Sequence, residues 1–290
     1  CGHPIAVFVA HGVFDAIRNG GAIEAIITRH EQAAVHAADG YARTSGTLGV
    51  AICSTGPGTT NTVTGLYEAG FASSRVMLIT GQTDSIDYGK GRAAGHEAEN
   101  QLPMLRTVAR AVESPRHTQD LAPAVYRVAA NILSGRPQPG AIEMPIDLQY
   151  GRTSVPVGDP LPVHPVPPQQ DALTRAAELI GNASKRIIIA GGGAVGGGAS
   201  EKVQQLAEAL NAPVFTSGNG RGVIPDDHPL SAGSFVTRPN MLAAIADTDV
   251  VIAVGTRLRG PLAAWGRIPG KLVHIDVDPQ VHGLVLAPTV

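Results

Sequence analysis

Four short segments carry residue types that could do chemistry. The first is Thr28-Arg29-His30-Glu31-Gln32-Ala33-Ala34, where a strand-like apolar run gives way to a helical pattern of small residues. A carboxylate there lies at the carboxyl edge of a sheet, where open α/β folds bind their ligands. It could equally serve the helix, because an acid in the first turn complements the macrodipole and the free N–H groups. The second segment is Ser54-Thr55-Gly56-Pro57-Gly58-Thr59-Thr60-Asn61. Glycines flanking a proline let the backbone turn sharply and approach a ligand closely. As a plain strand-to-helix turn, the same residues would supply Thr59 or Thr60 as an N-cap. The third is Thr80-Gly81-Gln82, again after an apolar run and at a sheet edge. A fourth, the cluster Gly191-Gly192-Gly193-Ala194-Val195-Gly196, satisfies G-x-G-x-x-G between a strand and a helix. A nicotinamide site would also want an acid after the next strand, which instead ends in Ser217-Gly218.

The elements that must position these segments alternate along the chain. Apolar runs at 22–27, 49–53, 76–80 and 141–144 predict buried strands, and the spacing predicts helices over 31–45, 60–72 and 120–133. Pro156, Pro160, Pro162, Pro165, Pro167 and Pro168 then crowd a stretch without apolar periodicity, which predicts a semi-rigid linker over 153–168. Alternation resumes with a helix over 172–180, a strand over 186–190 and a helix face of Val203, Leu206, Ala207 and Leu210. Further strands are expected at 213–216, 250–254 and 272–277. The expected fold is α/β, with two domains (1–152 and 169–290), each a mostly parallel sheet flanked by helices.

Composition narrows the functional classes. Of 290 residues, 43% are hydrophobic and 16% charged, as in a well-buried globular chain. A net charge of −2 without a basic run argues against nucleic acid and anionic membrane surfaces as partners. Cys1 and Cys53 are too few for a disulfide framework and fit a reducing compartment. With no signal-peptide pattern and no membrane-length apolar run, a soluble cytoplasmic protein is expected.

The order and context of the segments carry a resemblance. The run Thr28–Arg43, with its His-Glu-Gln and Ala-Asp-Gly-Tyr-Ala-Arg, followed by Thr55–Asn61 and Ile79–Gln82, resembles the pyrimidine-binding domain of thiamine-diphosphate enzymes. Acetolactate synthases, pyruvate oxidases and benzaldehyde lyases belong to this group. The second half resembles their central, Rossmann-like domain. The resemblance there rests on Ala190-Gly191-Gly192-Gly193, Gly220-Arg221-Gly222 with Pro225-Asp226-Asp227-His228-Pro229, and His274-Ile275-Asp276-Val277-Asp278-Pro279. It implies that Glu31 bonds N1′ of the cofactor's aminopyrimidine and favours the imino tautomer. The N4′ group then takes the thiazolium C2 proton, and the ring serves as an electron sink for a 2-keto acid. It also implies that the backbone of Gly56, Pro57, Gly58 and Thr59, with Asn61, lies against the pyrimidine. Gln82 would bond substrate oxygens beside the reacting carbon. Some relatives hold FAD in the central domain, where Gly191, Gly192 and a ribose contact from Asp276 would be the candidate residues.

The sequence departs from the family's pattern in places. The glycine-proline loop after the first strand is shortened to Ala10-His11-Gly12, and the usual first helix is not evident in 1–10. His96-Glu97 stand where acetolactate synthases carry an aromatic residue and a glutamine. The family holds the diphosphate and Mg²⁺ through a third domain bearing Gly-Asp-Gly, which does not occur in these 290 residues. No metal ligands are therefore assigned, and the central domain reads as truncated. The expected function is a decarboxylase or carboligase acting on a 2-keto acid, with the segment by itself inactive. The resemblance also implies a homodimer or homotetramer, since the cofactor lies between subunits. The competing readings are a non-catalytic or split subunit completed by a separate diphosphate-binding chain, and, from the glycine cluster alone, a nicotinamide-dependent dehydrogenase.

Overall fold

The computed structural model describes residues 5–7, 11–92, 94–164, 167–234, 238, 243 and 245–290. Ala10 of the shortened loop and Pro165 of the proline-rich stretch lie outside them, as does Cys1. The chain divides into two compact units, Cys1–Pro165 and Val166–Val290. Residues 151–164 form no helix or strand and are exposed.

The first unit is built from β1 (Ile5–Val7), α1 (His11–Gly20), β2 (Ala25–Ile27), α2 (Glu31–Ser45), β3 (Gly49–Cys53), α3 (Pro57–Thr60), α4 (Val63–Ala72) and β4 (Val76–Gln82). It continues with α5 (Gln101–Arg106), β5 (Ala111–Glu113), α6 (Leu121–Leu133), β6 (Gly140–Pro145) and α7 (Ile146–Gln149). Its six strands lie in the order β2-β1-β3-β4-β6-β5, every pair parallel. Strand residues alternate between faces, so one sheet feeds two apolar layers. Ala51, Cys53, Val76 and Leu78 pack with Ala34, Val35 and Ala38 of α2 and Leu66 and Ala69 of α4. Met77, Ile142 and Met144 pack with Val128 and Ile132 of α6, while Ile52 meets Ile17 of α1. Strand order reverses between β1 and β3. Connections leave these two strands in opposite directions, and the carboxyl ends at such a switch point are the usual ligand position of an open α/β sheet.

Short elements account for the differences from the sequence reading. The strands β1 and β5 have three residues each and show no period, and α1 begins directly after the region that was expected to lack a first helix. The helix expected over 60–72 is split into α3 and α4, with Asn61 and Thr62 between them. The strand expected over 76–80 runs on to Gln82.

The second unit contains α8 (Gln170–Gly181), β7 (Arg186–Ala190), α9 (Gly192–Gly196), α10 (Ser200–Leu210), β8 (Val214–Thr216), β9 (Val250–Val254) and β10 (Lys271–Ile275). Its four parallel strands take the order β10-β9-β7-β8. Among the described residues no helix is long and apolar enough to cross a membrane.

Candidate functional site

The start of α2 sets the geometry. His30 has extended backbone and caps the helix, its ring Nδ1 accepting from the Gln32 N–H at 3.1 Å. That frees Glu31 from capping. Its side chain, in a residue 7% exposed, turns instead toward the loop after β3, where Asn61 Nδ2 donates to Glu31 Oε2 at 3.0 Å. A hydrogen bond to an ionised partner is among the stronger kinds and holds the carboxylate in one orientation.

The other carboxylate oxygen faces a glycine. A Cβ built on Gly58 would lie 3.4 Å from Glu31 Oε1 and 3.0 Å from Ser54 Cβ. The bare backbone here lets the turn lie close to the carboxylate, where a side chain would crowd Ser54 and Glu31. Gly56 is needed for a different reason. Its φ of 58° is left-handed, and a Cβ there would approach the His96 carbonyl oxygen to 2.5 Å. Pro57 occupies the first position of α3, where the missing N–H costs nothing. Thr59 faces inward: its hydroxyl donates to the Ser54 carbonyl at 2.9 Å and bonds the Thr80 hydroxyl. Cys53 lies beneath, and burial pushes its thiol up to about 12 despite contacts with Thr80 and Thr59.

At the end of β4, Gln82 is 2% exposed and enclosed by protein partners. Its Oε1 accepts from the Thr83 N–H at 2.8 Å, and the Thr55 hydroxyl, whose one proton is shared with Gln101 Oε1, lies 3.4 Å away. Its Nε2 donates to Glu143 Oε2 at 3.2 Å and reaches the Ala98 carbonyl at 3.5 Å, the limit of a hydrogen bond. The neighbouring Thr83 hydroxyl is buried and has no partner among the described residues. Gln101 and Glu143 complete this cluster and were not singled out from the sequence. The available signal was an acid inside the otherwise apolar strand Gly140–Pro145.

The structure thus brings Glu31, Gly58 and Asn61 together, with Gly56, Pro57 and Thr59 shaping the same turn and Gln82 behind it. The glycine cluster belongs to the second unit. A Cβ on Gly191 would meet the Gly255 carbonyl oxygen at 2.3 Å, and one on Gly192 would meet Asn219 Cβ at 2.9 Å. Close backbone packing therefore accounts for both. Asp276 follows β10, two strands from β7, and its Oδ1 accepts from the Asp278 N–H at 3.0 Å. Of His11 the backbone alone is described, as the first residue of α1. His96 holds a left-handed φ of 61°, and Glu97 Oε1 accepts from the Gly91 N–H at 3.1 Å. Among the described residues no group of three or more His, Cys, Asp or Glu side chains is placed to hold a metal ion.

Comparisons with known proteins identify the family. Residues 7–104 match the thiamine pyrophosphate enzyme N-terminal TPP-binding domain, and residues 173–289 match the central domain of the same enzymes. A probable acetolactate synthase large subunit from Methanocaldococcus jannaschii is 34% identical over 288 residues, spanning 93% of this chain and 47% of the relative. A glyoxylate carboligase from Escherichia coli O157:H7 is 33% identical, with 95% and 47% covered. A probable 2-ketoarginine decarboxylase from Pseudomonas aeruginosa is 35% identical, with 90% and 47% covered. The chain spans about half the length of the curated relatives it matches. Both domain models fall in the family's order on the two units, and the matched segment of the first contains Glu31, the glycine-proline turn and Gln82, so this chain belongs to the thiamine-pyrophosphate enzymes of the acetolactate synthase and pyruvate oxidase type.

Proposed function

We propose that this chain forms the pyrimidine-binding and central domains, joined by the proline-rich stretch, of a thiamine-diphosphate-dependent decarboxylase or carboligase acting on a 2-keto acid. The observation that carries the reading is the Glu31 carboxylate. It is relieved of helix capping by His30, locked by Asn61 through one oxygen, and open through the other toward the bare backbone of Gly58. In this reading a ring nitrogen of the cofactor is set against Oε1, with one ring face on the turn.

Bound thiamine diphosphate would supply an acidic thiazolium carbon and an electron sink. Glu31 would hold the proton at N1′ of the aminopyrimidine, and low local dielectric strengthens such a bond. Gly56–Thr59 would carry the ring face. Gln82 could turn its weakly held second N–H, now 3.5 Å from the Ala98 carbonyl, toward a substrate oxygen, and the unpartnered Thr83 hydroxyl adds hydrogen-bonding capacity at the same strand end.

The relatives named above include enzymes of 2-ketoarginine and glyoxylate, both 2-keto acids, which supports that substrate class. The reading assigns the diphosphate and Mg²⁺ to chain outside these residues, and FAD, if used, to the second unit beside Gly191, Gly192 and Asp276. A homodimer or homotetramer in the cytoplasm goes with it. Exposed Tyr67 and Phe71, four residues apart on α4, and exposed Ile26 and Ile27 on the edge strand β2 support such an assembly.

The test uses the complete protein and its Glu31→Gln variant, comparing hydrogen–deuterium exchange at C2 of bound cofactor. Exchange is expected to slow by roughly 10²–10⁴ with the unfolding midpoint nearly unchanged. Exchange intact per folded molecule, with stability lost, would make Glu31 a helix-end group and end the reading.

A further inference from the structure

Glu143, in β6, is an acid that the proposed chemistry does not use. It pairs in register with Thr80 of β4, has 0% exposure, and is still met on every side by donors. Oε2 accepts from Gln82 Nε2 at 3.2 Å and Gln101 Nε2 at 3.0 Å, while Oε1 accepts from the Ser114 hydroxyl at 3.1 Å. Tyr88 stands nearby, its hydroxyl pKa raised first by burial and then by the Glu143 charge, and its ring lies under the Arg116 guanidinium, 4.4 Å from the centroid. Burying a carboxylate is costly, and apolar side chains of the same volume usually stabilise a core as well or better. Stability alone is therefore a poor reason for an acid at this position.

Direction is a better one. A carboxylate only accepts, whereas a glutamine amide has a donor end and an acceptor end of nearly equal shape. Facing Glu143, Gln82 and Gln101 must both present Nε2, so both oxygens point away. The Gln101 Oε1 then accepts from the Gly56 N–H at 2.8 Å and the Thr55 hydroxyl at 3.3 Å, and its remaining N–H goes to the Gly81 carbonyl at 2.8 Å. One amide thereby ties β6, the end of β4 and the left-handed corner of the glycine-proline turn. Reversed, it would set a donor against the Gly56 N–H.

We propose that Glu143 is a positioning residue for the cofactor site: by sorting the Gln101 and Gln82 amides it fixes the Thr55–Gly58 turn opposite Glu31. This rests on the thiamine-diphosphate reading above.

The test is a double-mutant cycle in the complete protein with Glu143→Gln and Gln101→Met, reading the dissociation constant of thiamine diphosphate with Mg²⁺ and, separately, urea unfolding of the cofactor-free protein. An amide at 143 can show either end to its neighbours, so the sorting is lost while the shape is kept. Each single variant is expected to bind cofactor about tenfold more weakly, and the double variant no more weakly than the worse single, as coupled residues behave. Unchanged cofactor affinity in a folded single variant, or losses that multiply in the double, would reduce Glu143 to a structural acid and overturn the proposal. If Glu143→Gln does not fold, Gln101→Met alone decides: wild-type affinity overturns it. Wild-type protein that binds no thiamine diphosphate defeats the functional reading itself, whereas wild-type binding with unaffected variants defeats only this inference.

Discussion

Asn61 and Glu31 are thirty residues apart in sequence and joined by a 3.0 Å hydrogen bond, which makes the helix α2 and the turn after β3 a single device. One carboxylate oxygen is held and the other is left facing Gly58. Replacing Asn61 by Ala should release the carboxylate to rotate. A lost hydrogen bond to a charged group costs about 1.5–3 kcal/mol, and water at the exposed Asn61 position brings the effect toward the lower end. Urea unfolding should show that modest loss, while thiamine diphosphate binding to the complete protein weakens about tenfold or more. Unchanged cofactor binding would mean that Asn61 does not orient Glu31.

Gly56→Ala should be worse for the fold. At a φ of 58° and a ψ of −113°, outside the αL well, an L-residue costs roughly 1–3 kcal/mol, and the added Cβ would press within 2.5 Å of the His96 carbonyl oxygen. His96 is itself left-handed, at 61°, so this backbone has little freedom to withdraw. The expected outcome is an unfolding free energy lowered by more than about 1 kcal/mol, read by denaturant titration. A neutral result would show that the loop carrying His96 yields.

Much of this site is legible in the sequence because local rules place it. The apolar run Gly49–Cys53 ends in Ser-Thr-Gly-Pro-Gly, and an acid stands where the pattern changes from strand to helix. What stays hidden is set by contacts distant in the chain. The His30 cap is local but histidine is not among the usual capping residues, and nothing local says that Gln101 reaches back 45 residues to Gly56. The strands β1 and β5 are too short to show a period, and α5 is a six-residue helix with Pro103 in its first turn. Glu143 was visible only as one acid in a buried strand, a pattern that names no partner.

Cys53 should resist alkylation in the folded protein. Burial raises its thiol to about 12, and the charge of Glu31 adds to this, outweighing the Thr80 and Thr59 hydroxyls that favour the thiolate. Near pH 8 the thiolate fraction is then on the order of 10⁻⁴, and the thiolate is the reactive species. Mass spectrometry of the peptide containing Cys53 after iodoacetamide treatment should show labelling in urea and almost none in buffer. Comparable rates in both would place the thiol within reach of solvent.

His274 should make the second unit sensitive to acid. Its Nε2 bonds the Thr256 carbonyl at 2.8 Å and is therefore the protonated nitrogen, while Nδ1 is buried with no partner among the described residues. The residue is 8% exposed, and the His282 ring stands edge-on at 5.1 Å between centroids. Burial lowers its pKa and the neighbouring His282 lowers it further, against opposing contributions from the Thr256 carbonyl and Asp276. A folded-state pKa below the unfolded value of about 6.5 means that the unfolded chain takes up the proton first. The stability contributed by the neutral ring is thus complete above about pH 6.5 and is lost as pH falls through the depressed folded value. His274→Gln keeps an N–H donor for the Thr256 carbonyl but cannot titrate. Urea titrations between about pH 7.5 and 5 should show wild-type stability falling more steeply than that of the variant, because carboxylates elsewhere contribute equally to both. Parallel curves would show that the acid sensitivity lies elsewhere.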